Sequence, residues 1–407
     1  MAKTVFVLGT MDTKGPEFAY LVEQLESLGL ETLVADCGIL EEPLEIEPDV
    51  DHAELARYGD TTIEALQNAG SRGKAVSGMQ KAIRNFTVEK YEEGAFDAVV
   101  SMGGAEGAVM GATAMMPLPY GVPKVLISPI ASGKHFFEPM VGTKDVMVVH
   151  SVVDILGLNP IATTIFDNVA AATKGLVEEG HPLPDPDPDE KYVAVTMLGN
   201  TTKAVMALKE RLAEDGYEAV VFHSNGAGGP AMEELAEAGQ FDGVIDFTTN
   251  EVYDPMTGGI HDGGPDRLKV VPRLGIPQVV VPGCIDFSVF HTGTVPDELE
   301  DRPVYDHNPE YTLVGASREE KLKLADLFAD RINPSTGPVR LAVPTEGLSI
   351  PNHPDGPFWD PEGDAAFRER LVEKMRSDIP IEMFEHHVND PEFGVEVAER
   401  FLDLIEG

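Results

Sequence analysis

A chain of 407 residues is longer than one hydrophobic core usually serves, and 43% hydrophobic with 25% charged side chains is a globular composition, not a disordered or fibrous one. Asp and Glu number 70 against 30 Lys and Arg, a net charge of -40 that argues against nucleic-acid binding through the general surface. No apolar run reaches the roughly 18 to 20 residues of a membrane span, and two cysteines, Cys37 and Cys284, supply neither a disulfide framework nor a cysteine-only zinc site.

The first residues run straight into a strand, so no signal peptide is expected, and a reducing cytoplasm is the expected compartment. Apolar, β-branched runs ending at Gly, Ser, Thr or Asp predict strands at 4–8, 31–35, 98–101, 124–128 and 145–149. Helical patterns lie between them at 17–28, 76–93, 105–115 and 168–179. Residues 181–190 hold four prolines, three aspartates and a glutamate, which neither a helix nor a central strand tolerates, and they read as an interdomain linker. The pattern then restarts, with strands at 192–196, 219–223, 243–246 and 278–282 and helices at 201–214, 230–238 and 318–330.

Four short segments recur in the same order. Residues 29–34 match 216–221, 94–100 match 239–245, 121–126 match 275–280, and 5–10 match 193–199 more loosely. The spacing leaves an acidic, then small-residue insert in the first half near 39–80: a lid, a dimer arm or surface decoration. The expected fold is α/β, with two Rossmann-like doubly wound domains of mostly parallel sheet related by internal duplication. Their expected extents are 1–180 and 191–407, joined by the linker. The acidity is spread along the whole chain; it fits a polycation partner or, better, solubility in a salt-loving source.

Ligands of a doubly wound sheet bind beyond the carboxyl ends of its strands, so post-strand residues carry the functional expectation. In the first half Gly9, Thr10, Met11, Asp12 and Thr13 follow the first strand, with Pro16 suited to a helix start. Gly103 and Gly104 open a small-residue helix whose amides can approach a phosphate. Ser128, Ser132 and Gly133 follow another strand, and Asn168 is read at the head of a helix. These are the expected nucleotide contacts, although each turn also reads as ordinary capping or close packing, and none is a P-loop or a GxGxxG motif.

The second half places richer chemistry after its strands. His223, Glu251, His261, Asp262, Asp266 and His307 are read as able to gather at one sheet edge for acid–base or metal chemistry, with His223, Glu251, Asp262 and His307 as catalytic candidates. Their spacing matches no tight zinc motif, and each histidine alone reads better as a hydrogen-bonded loop residue. Asn225, Gly226, Gly228, Gly229, Thr248, Thr249 and Asp286 are the substrate-binding candidates, the glycines as a cradle for phosphate or carboxylate. His386 and His387 are able to bind metal but read better as structural or capping residues.

The runs Gly9-Thr10-Met11-Asp12-Thr13-Lys14-Gly15, Ser151-Val152-Val153-Asp154-Ile155, Asp246-Phe247-Thr248-Thr249-Asn250-Glu251 and His307-Asn308-Pro309 resemble the Tm-one-like ATP-binding domain family, which includes the amino-terminal part of the tomato mosaic virus resistance protein. The resemblance covers nearly the whole chain, and it implies two Rossmann-like domains, a homodimer, and ATP held by the first domain at Gly9–Asp12 and Gly103-Gly104. In the second domain the expected His-Ala-Thr-Gly run is His223-Ser224-Asn225-Gly226 here, a departure in the polar contacts. Three classes stay open: an ATP-binding enzyme acting with Mg²⁺ on a small metabolite in an interdomain cleft, a nucleotide-gated regulator without turnover, and a metal-assisted hydrolase or isomerase of the second domain. For Mg²⁺, Asp12 and Asp145 are both candidates.

Overall fold

The computed structural model describes residues 2–132 and 138–406. By contacts the chain divides into two compact units, Met1–Pro184 and Asp185–Gly407.

In the first unit the elements run β1 (Thr4–Gly9), α1 (Met11–Ser27), β2 (Glu31–Asp36), α2 (His52–Arg57), α3 (Ile63–Gln67), α4 (Arg72–Glu92), β3 (Ala98–Met102), α5 (Ala105–Met115), β4 (Lys124–Ser128), α6 (Glu138–Val141), β5 (Met147–His150) and α7 (Pro160–Glu179). The sheet order is β2-β1-β3-β4-β5, every pair parallel. Alternation along β1 sends Phe6 and Leu8 into the layer under α2, α4 and α5, and Val5 and Val7 into the layer under α1 and α7. Burial on both faces is why these strands read as unbroken apolar runs.

In the second unit they run β6 (Lys191–Met197), α8 (Thr202–Glu214), β7 (Tyr217–His223), α9 (Gly228–Glu237), β8 (Gly243–Asp246), α10 (Val270–Leu274), β9 (Gln278–Val280), β10 (Phe287–His291), β11 (Val304–Asp306), β12 (Tyr311–Gly315), α11 (Arg318–Ile332), β13 (Val339–Pro344), α12 (Pro361–Lys374), β14 (Ile381–Phe384) and α13 (Pro391–Glu406). The main sheet is again wholly parallel, in the order β7-β6-β8-β9-β13-β14. Its first five positions repeat the winding of the first unit, as a duplication requires, and β14 extends it. Between β9 and β13 the chain adds a small antiparallel sheet, β10-β12-β11, absent from the sequence expectation.

Three local expectations change. The turn foreseen after β1 is already helix: α1 starts at Met11 and breaks at Lys14 (φ -127°), which accommodates Pro16 two residues later. The insert forms α2, α3 and the start of α4, the last two capped by the Thr62 and Ser71 hydroxyls, and packs Leu55, Ile63 and Leu66 into the core. Asn168 is not at a helix head. The helix α7 begins eight residues earlier, where the Asn159 side chain caps Ile161 and Ala162 and Pro160 takes the first position, so Asn168 lies mid-helix on an exposed face. Among the described residues no helix is long and apolar enough to cross a membrane.

Candidate functional site

The winding of the first unit reverses between β1 and β3, and there the carboxyl ends of the two strands part to leave a crevice. A cavity of ≈ 850 Å³ occupies it. The first turns of α1 and α5 line it. Neither Thr10, at the start of α1, nor Gly104, at the start of α5, caps its helix with its own side chain; the first amide of α1 is taken by Asp36, which leaves the start of α5 as the one without a capping side chain. The apolar part of the lining is Cys37, Ile39 and Leu40 from the chain after β2, Leu66, Ala75 and Val76 from the insert, and Met110 from α5.

Four charged groups line this space. Asp12 is nearly buried, and its Oδ2 accepts the Leu40 N–H at 3.1 Å, which ties the chain after β2 to the start of α1. Lys14 donates to the Ile155 carbonyl. Arg72, at the start of α4, pairs directly with Glu106 in the first turn of α5.

The expected nucleotide residues divide cleanly. Thr10, Asp12, Thr13 and Gly104 line the cavity. Gly9 does not: a Cβ there would lie 1.9 Å from the Phe18 ring, so packing requires that glycine. Met11 is buried, and its amide donates to Asp36 Oδ1 at 2.9 Å. Gly103 makes room for the Gly107 backbone, 2.6 Å from where its Cβ would be. The Ser128 hydroxyl donates to the Gly103 carbonyl at 2.8 Å and braces the β3 and β4 ends. Ser132 is exposed and contacts His150 Nε2 at 3.2 Å; Gly133 lies outside the described residues, and Asn168 is far along α7. Asp145 is taken by the Lys124 ammonium at 2.7 Å and the Gly121 amide at 2.8 Å. Sequence reasoning missed the wall from the insert. Leu66 and Val76 carry no signature beyond that of ordinary helix residues.

The second unit has no open cradle at its β7–α9 turn. The Gly226 and Gly229 amides both donate to Glu251 Oε1, at 2.8 and 3.2 Å. Glu251 Oε2 accepts from Arg267 Nε at 2.7 Å, and the rest of that guanidinium forks onto Asp246 at 2.6 and 2.7 Å. Arg267, Asp246 and Glu251 are all fully buried. The expected cradle is thus filled by the chain's own carboxylate, and Glu251 is bound on both oxygens instead of free for acid–base work. Gly228 and Gly229 are glycines for packing, since Cβ atoms would lie 1.9 Å from the His223 carbonyl and from Glu251. Glu233, 3.8 Å from Arg267, is pushed up to about 7, first by burial.

Thr248 and Thr249 are also buried and committed, Thr248 to the Thr201 hydroxyl at 2.8 Å and Thr249 to the Val281 carbonyl at 3.0 Å. Asp286 accepts from Ser349 at 2.6 Å and is pushed up to about 6 by burial. These three belong to the interior. The histidines behave differently. His261 Nδ1 meets Asn250 Nδ2 at 3.1 Å, and its pKa is lowered to about 4, first by burial and then by His223, His291 and His307 nearby. His223, Asn225, Asp262 and His307 are exposed around it. Asp262 Oδ1 accepts the Gly264 amide at 2.7 Å, and the His307 amide donates to the Tyr311 carbonyl at 3.1 Å. Among the described residues no three His, Cys, Asp or Glu side chains are placed to hold a metal ion. His387 meets the Ser349 carbonyl at 2.8 Å, in the structural role expected of it.

Residues 3–182 match the N-terminal domain of the uncharacterised protein family UPF0261, and residues 190–405 match its C-terminal domain. A UPF0261 protein of Clostridium tetani is 36% identical over 408 aligned residues, spanning 100% of each chain. The ToMV resistance protein Tm-1(GCR237) of Solanum lycopersicum is 31% identical across 98% of this chain, a match that takes in 55% of the plant protein. Among solved structures, UDP-GlcNAc 2-epimerase of Neisseria meningitidis aligns with 68% of this chain and 82% of its own at 11% identity and a TM-score of 0.25.

Proposed function

The chain belongs to the UPF0261 family, and we propose that its first unit binds ATP with Mg²⁺ in the crevice between β1 and β3. One observation carries this reading: the starts of α1 and α5, the second without a side-chain cap, and an apolar wall line one cavity at the switch point of a parallel sheet. Helix starts attract anions through unpaired amides and the positive end of the helix dipole. The phosphates belong there, and the adenine belongs against Ile39, Leu66 and Val76. Asp12 is the carboxylate for Mg²⁺, which would offset the phosphate charge that a chain of net charge -40 otherwise repels.

In this reading the protein is cytoplasmic and dimeric, and the exposed histidines around His261 handle a small metabolite. Incubation with MgATP and pooled metabolites tests for turnover; nucleotide binding with no product would favour a nucleotide-gated regulator. Light scattering of the purified chain tests the dimer.

Gly104→Val tests the binding site itself. A Cβ at Gly104 meets nothing within 4 Å, so the substitution starts in open space at a residue that lines the cavity. Calorimetry should show ATP binding to the parent chain and a loss of about tenfold or more in the variant, a change of roughly 1.4 kcal/mol, with the melting temperature nearly unchanged. Equal affinity in the two chains would refute the site.

A further inference from the structure

We infer that Arg72, carried by the insert, is the residue that recognises the terminal phosphates, and that Glu106 is its partner when no ligand is bound. The inference rests on the nucleotide reading of the same crevice. Arg72 and Glu106 both line the cavity, one at the start of α4 and the other in the first turn of α5. Their direct ion pair joins the insert to the doubly wound core.

Three features give the pair a function beyond bracing. Glu106 places a carboxylate at the helix start whose amides have no side-chain cap, so it stands where an incoming phosphate would go. The pair is exposed, 81% for the Arg72 side chain and 43% for Glu106, and such pairs hold weakly against water. Of the two cations lining the cavity, Lys14 already donates to the Ile155 carbonyl, which leaves Arg72 as the cation with a displaceable partner. A guanidinium matches phosphate oxygens with two parallel N–H donors. The ligand's phosphate therefore replaces the Glu106 carboxylate on Arg72. Selectivity for a polyphosphate then comes from the insert, which the sheet alone does not supply.

The full chain, titrated with MgATP by calorimetry at two salt concentrations, tests this. Arg72→Gln should weaken ATP binding by about tenfold or more and flatten its salt dependence, because one screened charge contact is lost. Arg72→Lys should fall between the two, keeping the charge without the fork. Glu106→Gln should tighten ATP binding several-fold by removing the competitor. Both positions are exposed, so the variants should melt close to the parent. Parent-like affinity and salt dependence in Arg72→Gln would overturn the assignment to Arg72, and unchanged or weaker binding in Glu106→Gln would overturn the role given to Glu106. A parent chain that binds no ATP removes the nucleotide reading and this inference together; a parent that binds while Arg72→Gln binds equally well removes only the inference.

Discussion

Glu251 accepts the Nε–H of Arg267 at 2.7 Å through one carboxylate oxygen and takes the amides of Gly226 and Gly229 on the other. An anion therefore already sits at the glycine turn of the second unit, and it is part of the chain. In the first unit the glycine turn at the start of α5 opens on a cavity instead. The two halves share a winding order but not the state of their strand ends.

Arg267 is the buried cation that pairs with Asp246 and Glu251 and lies 3.8 Å from Glu233, and its removal leaves Asp246 and Glu251 buried without a counter-charge. Arg267→Met should destabilise the chain by about 3–5 kcal/mol. Urea unfolding of parent and variant measures this. A loss below about 1 kcal/mol would mean that the cluster is far more hydrated than its burial indicates.

Glu233 couples this cluster to pH. Its folded value of about 7 lies above the ordinary 4.5, so its contribution to stability is complete below pH 4.5 and disappears as the pH rises through 7. Glu233→Gln keeps an acceptor for the Leu268 amide and abolishes the titration. Relative to the parent, the variant should gain stability between pH 5 and pH 8, by up to about 3 kcal/mol at 1.36 kcal/mol per pKa unit. A constant difference across that window would show that Glu233 titrates normally.

His261 has the opposite sign. Its folded pKa of about 4 lies below the ordinary 6.5, so the stability it contributes is present above pH 6.5 and is lost as the pH falls through 4. Proton NMR of the imidazole resonances, with His261→Gln to assign the peak, should show one histidine titrating near 4. If every histidine titrates between about 6 and 7, the ordinary range, the burial of His261 among its neighbours is wrong.

Gly103 and Gly104 are adjacent and should respond differently. Gly103→Ala drives a methyl to 2.6 Å from the Gly107 backbone and should cost about 1–3 kcal/mol. Gly104→Ala points into open cavity and should leave stability within about 0.5 kcal/mol of the parent. Thermal melts of the two variants give the comparison, and equal losses would contradict the roles given to the two glycines.

Much of the scaffold is legible in the amino-acid order. The runs that became β1, β3, β4, β6 and β8 are apolar because both faces of a parallel sheet are covered. The strands β10 to β12 are not legible in the same way. The run at Phe287–His291 follows directly on Asp286, and its partner at Tyr311–Gly315 is reached only after a long excursion, so that pair lacks hairpin spacing; Val304–Asp306 does turn back onto Tyr311–Gly315 across 307–310, but with three residues it is too short to read as a strand. Asn168 misled because a capping residue type in the middle of a helix looks like a start until the better start, Asn159-Pro160, is seen.

By itself the sequence determined the two parallel scaffolds, the Pro- and Asp-rich segment between them, and the turns where ligand chemistry was to be sought. Tertiary structure alone decided which of those turns is available. Gly226 to Gly229 and Gly103-Gly104 read alike as anion cradles, yet Glu251 fills the first while the second opens on a cavity walled by the insert. The physical reason is that backbone amides have the same composition and spacing whether they are free or satisfied. Whether they bind a ligand depends on which buried side chain reaches them, and Glu251, held by an arginine 16 positions away along the chain, is placed by the fold.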